Sequence, residues 1–158
     1  MSSAVSAPVE IGGRTWAPDA LPVRRALAWI NKRGGCTAEE LEAWDRQHGG
    51  RLFETDAGKG LHEWRVQQAR LFLNSFRSVV NGMRIRLYKN VPANEETGLV
   101  ERRYYTGEEI SRTMRLRTWA VNDIVRRMKG LASELKFYKL SDVERENILA
   151  QVRAEMFE

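Results

Sequence analysis

Arginine forks onto guanine edges, asparagine onto adenine edges, and both reach phosphate oxygens, so where they cluster in a chain is a chemical statement. Eight basic residues fall between positions 102 and 129: Arg102, Arg103, Arg112, Arg115, Arg117, Arg126, Arg127 and Lys129. Three acids share that window, Glu108, Glu109 and Asp123. The excess of five equals the formal charge of the whole chain, +5, because 26 bases and 21 acids in all leave equal numbers outside the window. A polyanionic partner is the natural expectation for so localised an excess. Other chemistry is poorly provided. Cys36 is the one cysteine and His48 and His62 the two histidines, which leaves no disulfide and no metal-ligand framework. There is no glycine-rich phosphate loop with its lysine and hydroxyl, and no Gly-x-Ser-x-Gly elbow. His62-Glu63 lacks the second histidine of a zinc helix. No catalytic set, metal or cofactor is expected, and the chain reads as a non-enzyme.

Thr106-Gly107-Glu108-Glu109 is a capping box and opens a helix. Beyond it Ile110, Met114, Leu116, Val121 and Ile124 recur in one register, with the small Ser111 next to Ile110. In these positions residues 106–128 resemble a generic helix-turn-helix, a class of DNA-binding unit and no particular family. The resemblance implies that Ile110 and Met114 lie on a first helix, Leu116 plugs the turn, and Val121 and Ile124 point back from a second helix starting near Arg117 or Thr118. It further implies that Arg117, Thr118, Asn122 and Arg126 face duplex DNA. Arg112, Arg115, Arg127 and Lys129 would then touch its backbone. Trp119 is expected in the core, and Asp123 to pair with Arg127 four residues on. The sequence departs from the pattern at Arg115, where glycine is common. A left-handed turn there costs a side chain about 1–2 kcal/mol.

The elements that must position this unit read as follows. Residues 1–20 form a flexible arm with Pro8, Gly12-Gly13 and Pro18, which Trp16 can anchor on the core. Pro22 opens a helix with Val23, Ala26, Leu27 and Ile30 on one side, stopped by Gly34-Gly35. Thr37-Ala38-Glu39-Glu40 caps a short helix that ends at Gly49-Gly50. A long central helix is expected from Leu61 to Val80, broken by Asn81-Gly82. Apolar and basic residues alternate from Met83 to Lys89, and an extended pattern resumes from Leu99 to Tyr105, so a β-hairpin is expected over about 83–105. Its Arg84, Arg86 and Arg102 would be further DNA contacts, in the manner of a wing. After Gly130 a short helix to Tyr138 is expected. Ser141-Asp142-Val143-Glu144 caps a last helix, 143–157, with Ile148, Leu149, Val152 and Met156 on one side. The fold class is mainly α with one β-hairpin, α+β. It is organised as an arm (1–20), an N-terminal helical region (21–82) and a hairpin, helix-turn-helix and tail-helix region (83–158), the last two able to form one compact domain.

No apolar run approaches the roughly 20 residues that span a bilayer, and Met1–Pro8 has no basic start or apolar stretch of a signal peptide. A cytoplasmic location without membrane contact is expected. The expected partners are double-stranded DNA and either a second copy, with the last helix as dimer seam, or another protein. Such a chain has the stamp of small regulators and accessory proteins of bacteria, phages and plasmids. The rival expectation is a protein-binding adaptor, an assembly subunit or an inhibitor of a host factor, free of DNA, suggested by five tryptophans.

Overall fold

A computed structural model describes residues 8–11, 14–55, 60–94 and 98–157. The chain divides into two units, Met1–Thr118 and Trp119–Glu158. The class is α+β, with helices dominant and small antiparallel sheets.

The first unit opens with strands β1 (Val9–Ile11) and β2 (Arg14–Trp16), paired antiparallel. Trp16 is 2% exposed and meets Phe72 edge-on. The arm is therefore not free over these residues, because burying one indole outweighs the freedom of so short a stretch. Residues 1–7 and the Gly12-Gly13 pair lie outside the described residues. Helix α1 (Leu21–Arg33) has its proline in the first turn and buries Val23, Ala26, Leu27 and Ile30. Gly34, at φ 74°, closes it in the left-handed conformation that glycine adopts freely. Helix α2 (Ala38–Gln47), after the short strand β3 (Gly35–Cys36), is capped in both directions. The Glu40 amide donates to Thr37 Oγ1 at 3.1 Å, and the Thr37 amide to Glu40 Oε2 at 2.9 Å.

Helix α3 (Leu61–Ser75) is shorter than its apolar residues suggested. Phe76 turns extended, and Arg77–Val80 forms strand β4, paired with β5 (Met83–Arg86). Asn81 and Gly82 have φ 48° and 74°. That is the two-residue hairpin loop for which Asn-Gly is the favoured dipeptide, and the β-branched Val79-Val80 completes the strand. The dipeptide expected to break a helix thus joins two strands. The hairpin expected over 83–105 is correspondingly split. Strand β6 (Tyr88–Val91) pairs with β7 (Arg103–Thr106), and β7 with β3, giving the order β3-β7-β6. Gly35 is required there: a Cβ would lie 2.1 Å from the Tyr104 carbonyl oxygen. The core under these elements is aromatic at its centre, with Phe72 edge-on to Phe53 and Phe76 as well as to Trp16.

Helix α4 (Gly107–Arg112) follows, and helix α5 (Met114–Phe137) carries the chain into the second unit. No break falls at Gly130, which sits in open space within α5. One helical glycine costs only about 1 kcal/mol against alanine, and the flanking Met128, Lys129, Leu131 and Ala132 are good helix formers. Helix α6 (Asp142–Phe157) is capped by Ser141, whose amide donates to Glu144 Oε2 at 2.8 Å. From Trp119 to Met156 no side chain is buried.

Candidate nucleic-acid interface

Thr106 Oγ1 accepts the Glu109 amide at 3.1 Å, so α4 starts where its capping box demands. The turn after it differs from expectation. Thr113 is the extended residue, its amide bonded to the Glu109 carbonyl, and its own carbonyl already accepts from the Arg117 amide. It ends one helix and starts the next. Arg115 and Leu116, expected in the turn, therefore lie in the first turn of α5. The physical reason is the missing glycine, since a helical Arg115 avoids the left-handed penalty. The five apolar positions also separate in exposure. Leu116 is buried at 2% and Ile110 half-buried, while Met114, Val121 and Ile124 are 74%, 58% and 48% exposed. They form no buried helix-turn-helix contact. Trp119, expected in the core, is half-buried.

The basic residues divide by what holds them. In the first unit Arg112 is tied to Glu109 at 3.1 Å and Glu108 at 3.5 Å. Arg115 donates to the Gly98 carbonyl at 3.4 Å, and Thr118 Oγ1 to the Met114 carbonyl at 3.0 Å. Arg117 is exposed with no partner among the described residues. Arg103 is a structural member of the sheet, only 21% exposed and paired with Glu40 and Glu101 at 2.9 Å each. In the second unit Asp123 takes Arg126 at 2.5 Å and Arg127 at 3.2 Å, the latter as the spacing implied. Asn122, Arg126 and Lys129 follow helical spacing on one exposed face of α5, and Asn122 and Lys129 have no partner among the described residues. The opposite face of the same helix carries Ile124, Met128 and Leu131.

Two of the three hairpin arginines meet in the first unit, although the hairpin itself is split. Arg86 donates to Asn74 Oδ1 at 3.2 Å and Arg102 to Asn90 Oδ1 at 3.1 Å. Both line a cleft of about 660 Å³ together with Arg70, Gln67 and Tyr104. Arg70 is held there by Glu39 at 3.0 Å, and that guanidinium, with backbone hydrogen bonding, outweighs burial to keep the Glu39 carboxyl below its ordinary range. Three guanidinium groups against one carboxylate make a cleft suited to an anion. Arg84 is exposed on β5 and is not one of its lining residues. Arg70 was missed in the sequence because its helix gives no signal of a neighbour thirty residues away.

No family model, curated protein or solved structure matches this chain.

A second constellation escaped sequence reasoning altogether. Arg65 of α3, 5% exposed, donates to Glu42 at 2.9 Å and to Asp45 at 2.8 Å, both on α2 and both buried. Its third branch reaches the Phe53 carbonyl at 2.7 Å, and Asp45 accepts the Leu52 and Phe53 amides at 3.1 and 3.2 Å. The group clamps the segment after α2 onto the core, and a buried charge so fully bonded is a structural device. The available signal was two acids beside Leu41 on the inner face of an amphipathic helix. His62 Nδ1 stands 3.4 Å from the same Glu42. Cys36 is fully buried, which pushes its thiol up to about 12 and leaves it inert. Among the described residues no cluster of three or more potential ligands could hold a metal ion, and no helix is long and apolar enough to cross a membrane.

Proposed function

We propose that this chain is a small DNA-binding regulator or accessory protein, of the kind found in bacteria, phages and plasmids, that meets duplex DNA with the polar face of α5. The observation that carries the reading is Asn122, Arg126 and Lys129 aligned and exposed on one face of a helix, inside the window that holds the chain's entire charge excess. A single continuous helix can lie in a major groove without a helix-turn-helix behind it. In this reading Asn122 and Arg126 meet base edges and Lys129 a phosphate. Arg112, Arg115, Arg117 and Thr118 add backbone contacts, while Arg127, tied to Asp123, lies off this face. Taken by itself, the first unit's cleft of Arg70, Arg86 and Arg102 suits an anion such as phosphate, with Arg84 outside it.

The test is duplex affinity against salt. Each phosphate contact adds about 0.9 to the slope of log affinity on log salt. Lys129→Ala should lower that slope by about 0.9, whereas Asn122→Ala should leave the slope and reduce sequence preference. No binding at low salt, or slopes unmoved by Arg117→Ala, Arg126→Ala and Lys129→Ala, would remove the reading. A second reading, an assembly subunit or protein-binding adaptor without DNA, is favoured by a different observation: the unburied apolar side chains of the second unit. A partner protein retained by the chain with no nucleic-acid affinity would support it.

A further inference from the structure

The apolar residues of α5 in the second unit keep a strict register. With Val121 at position a of a heptad, Ile124 takes d, Met128 a, Leu131 d, Leu135 a, and Tyr138, just beyond the helix end, d. The first four are 48–59% exposed, and Tyr138 is 65% exposed. Leu135 is half-buried, and the other positions of the stripe stay exposed. A seam of period 3.5 fits another helix of the same period.

We propose that residues 121–138 pair with the same segment of a second copy as an antiparallel two-stranded coiled coil. The register is self-complementary about a two-fold axis midway between residues 129 and 130. Val121 then meets Tyr138 of the second copy, Ile124 meets its Leu135, and Met128 meets its Leu131, each layer occurring twice. The flanks agree with the same alignment. At the g positions Arg127 falls opposite Glu134 of the second copy, again twice. At the e positions Val125 falls opposite Ala132. A parallel pairing would set Arg127 against Ala132 and leave Glu134 only Lys139, which has left the helix at φ 53°, so charge favours the antiparallel form. Arg127 would exchange the half-buried Asp123 beside it, 3.2 Å away, for Glu134, leaving Asp123 to Arg126. An aliphatic side chain leaving water takes with it roughly 60–120 Å² of apolar surface. Val121, Ile124, Val125, Met128 and Leu131, 43–59% exposed, have roughly half of that left to lose, so with Leu135, Tyr138 and the stems of Arg127 and Glu134 the seam stays below the roughly 800 Å² per partner of a standard interface and fits a weak dimer. The polar face with Asn122, Arg126 and Lys129 stays outward.

Sedimentation equilibrium of the full chain without nucleic acid tests this, so its outcome is separate from that of DNA binding. The mass should rise with concentration from 18.2 kDa to twice that, with dissociation in the roughly micromolar range. Leu131→Asp should weaken association at least roughly a hundredfold, since a buried anchor is lost twice in a symmetric dimer. Near-ultraviolet circular dichroism from the tryptophans of the first unit reports whether the variant is still folded. Arg127→Glu should weaken association roughly tenfold, from two exposed pairs turned repulsive. Arg127→Glu with Glu134→Arg should restore it. A chain that stays monomeric at several hundred micromolar overturns the proposal, as does a dimer indifferent to Leu131→Asp. A double charge reversal no tighter than the single one overturns the antiparallel register.

Discussion

The two units solve the problem of apolar surface in opposite ways. In the first, Trp16, Ile30, Phe53, Phe72 and Phe76 are at most 2% exposed, and even Glu42, Asp45 and Arg65 are enclosed and bonded. In the second, no side chain from Trp119 to Met156 is fully buried, and Trp119, Leu135 and Ile148 are half-buried at most. Both units have well-capped helices. The difference lies in whether strands and neighbouring helices bring a second apolar face within reach. Helical propensity and caps alone leave a helix marginal in water, and tertiary or quaternary packing must supply the rest. The first unit finds that packing within the chain, and the proposed pairing with a second copy would supply it to the second.

Substitutions in the two units should separate sharply in unfolding by urea followed by tryptophan fluorescence. Arg65→Ala, which strands Glu42 and Asp45 as buried charges, is expected to destabilise by about 3–5 kcal/mol. Phe72→Ala, which empties the aromatic centre, should cost about 3–5 kcal/mol as well. Val143→Ala on α6, 68% exposed, should stay within about 0.5 kcal/mol. Equal losses in both units would break the comparison.

Alkaline pH sharpens it. Burial raises both the Cys36 thiol, from 9.0 to about 12, and the Tyr88 hydroxyl, which donates to Asn31 Oδ1 at 3.3 Å. A raised acid favours the neutral form in the fold. Its contribution is therefore complete below the unfolded value and lost as pH climbs toward the folded one. The first unit should lose about 1.4 kcal/mol of stability per pH unit from Cys36 between pH 9 and 12. The helicity of α5 and α6, which bury neither group, should lack that dependence. Native Cys36 should also resist alkylation at pH 8 until the chain is unfolded, and a thiol that reacts at the rate of a free one would show the core to be open.

Smaller effects follow at the caps. Thr37→Ala removes one half of the capping box of α2 and should cost about 1 kcal/mol. Ser141→Ala at the start of α6 should instead reduce helicity locally, seen in amide exchange over residues 142–146, without moving the unfolding midpoint of the first unit. A shift of that midpoint would mean the two units unfold together.

Much of the fold was legible because it depends on neighbours in sequence. The capping boxes at Thr37 and Ser141, the threonine cap of α4 at Thr106, the apolar face of α1 and the left-handed stop at Gly34 are local chemistry, and each stands where the spacing put it, although Glu109 turns to Arg112 and Thr113 and does not close the box at Thr106. The end of α3 was misread because Phe76, Val79 and Val80 satisfy a helical stripe as readily as a strand. The loop type of Asn81-Gly82 was the deciding signal. The candidate DNA residues were legible as a charge cluster. Their arrangement was not, because Val121 and Ile124 serve the pattern for two crossing helices and the stripe of one amphipathic helix alike.

From the residues alone came the starts of α1, α2, α4 and α6 and the location of the charge excess, all of which are set within a few turns of chain. Only the tertiary structure decided that Thr113 carries the break, that Arg65 joins Glu42 and Asp45, that Arg70 joins Arg86 and Arg102 at one cleft, and that Val121 and Ile124 stay in water. These depend on which distant surfaces meet, and burial energy, being proportional to contact and blind to sequence distance, is settled only when the whole chain has folded.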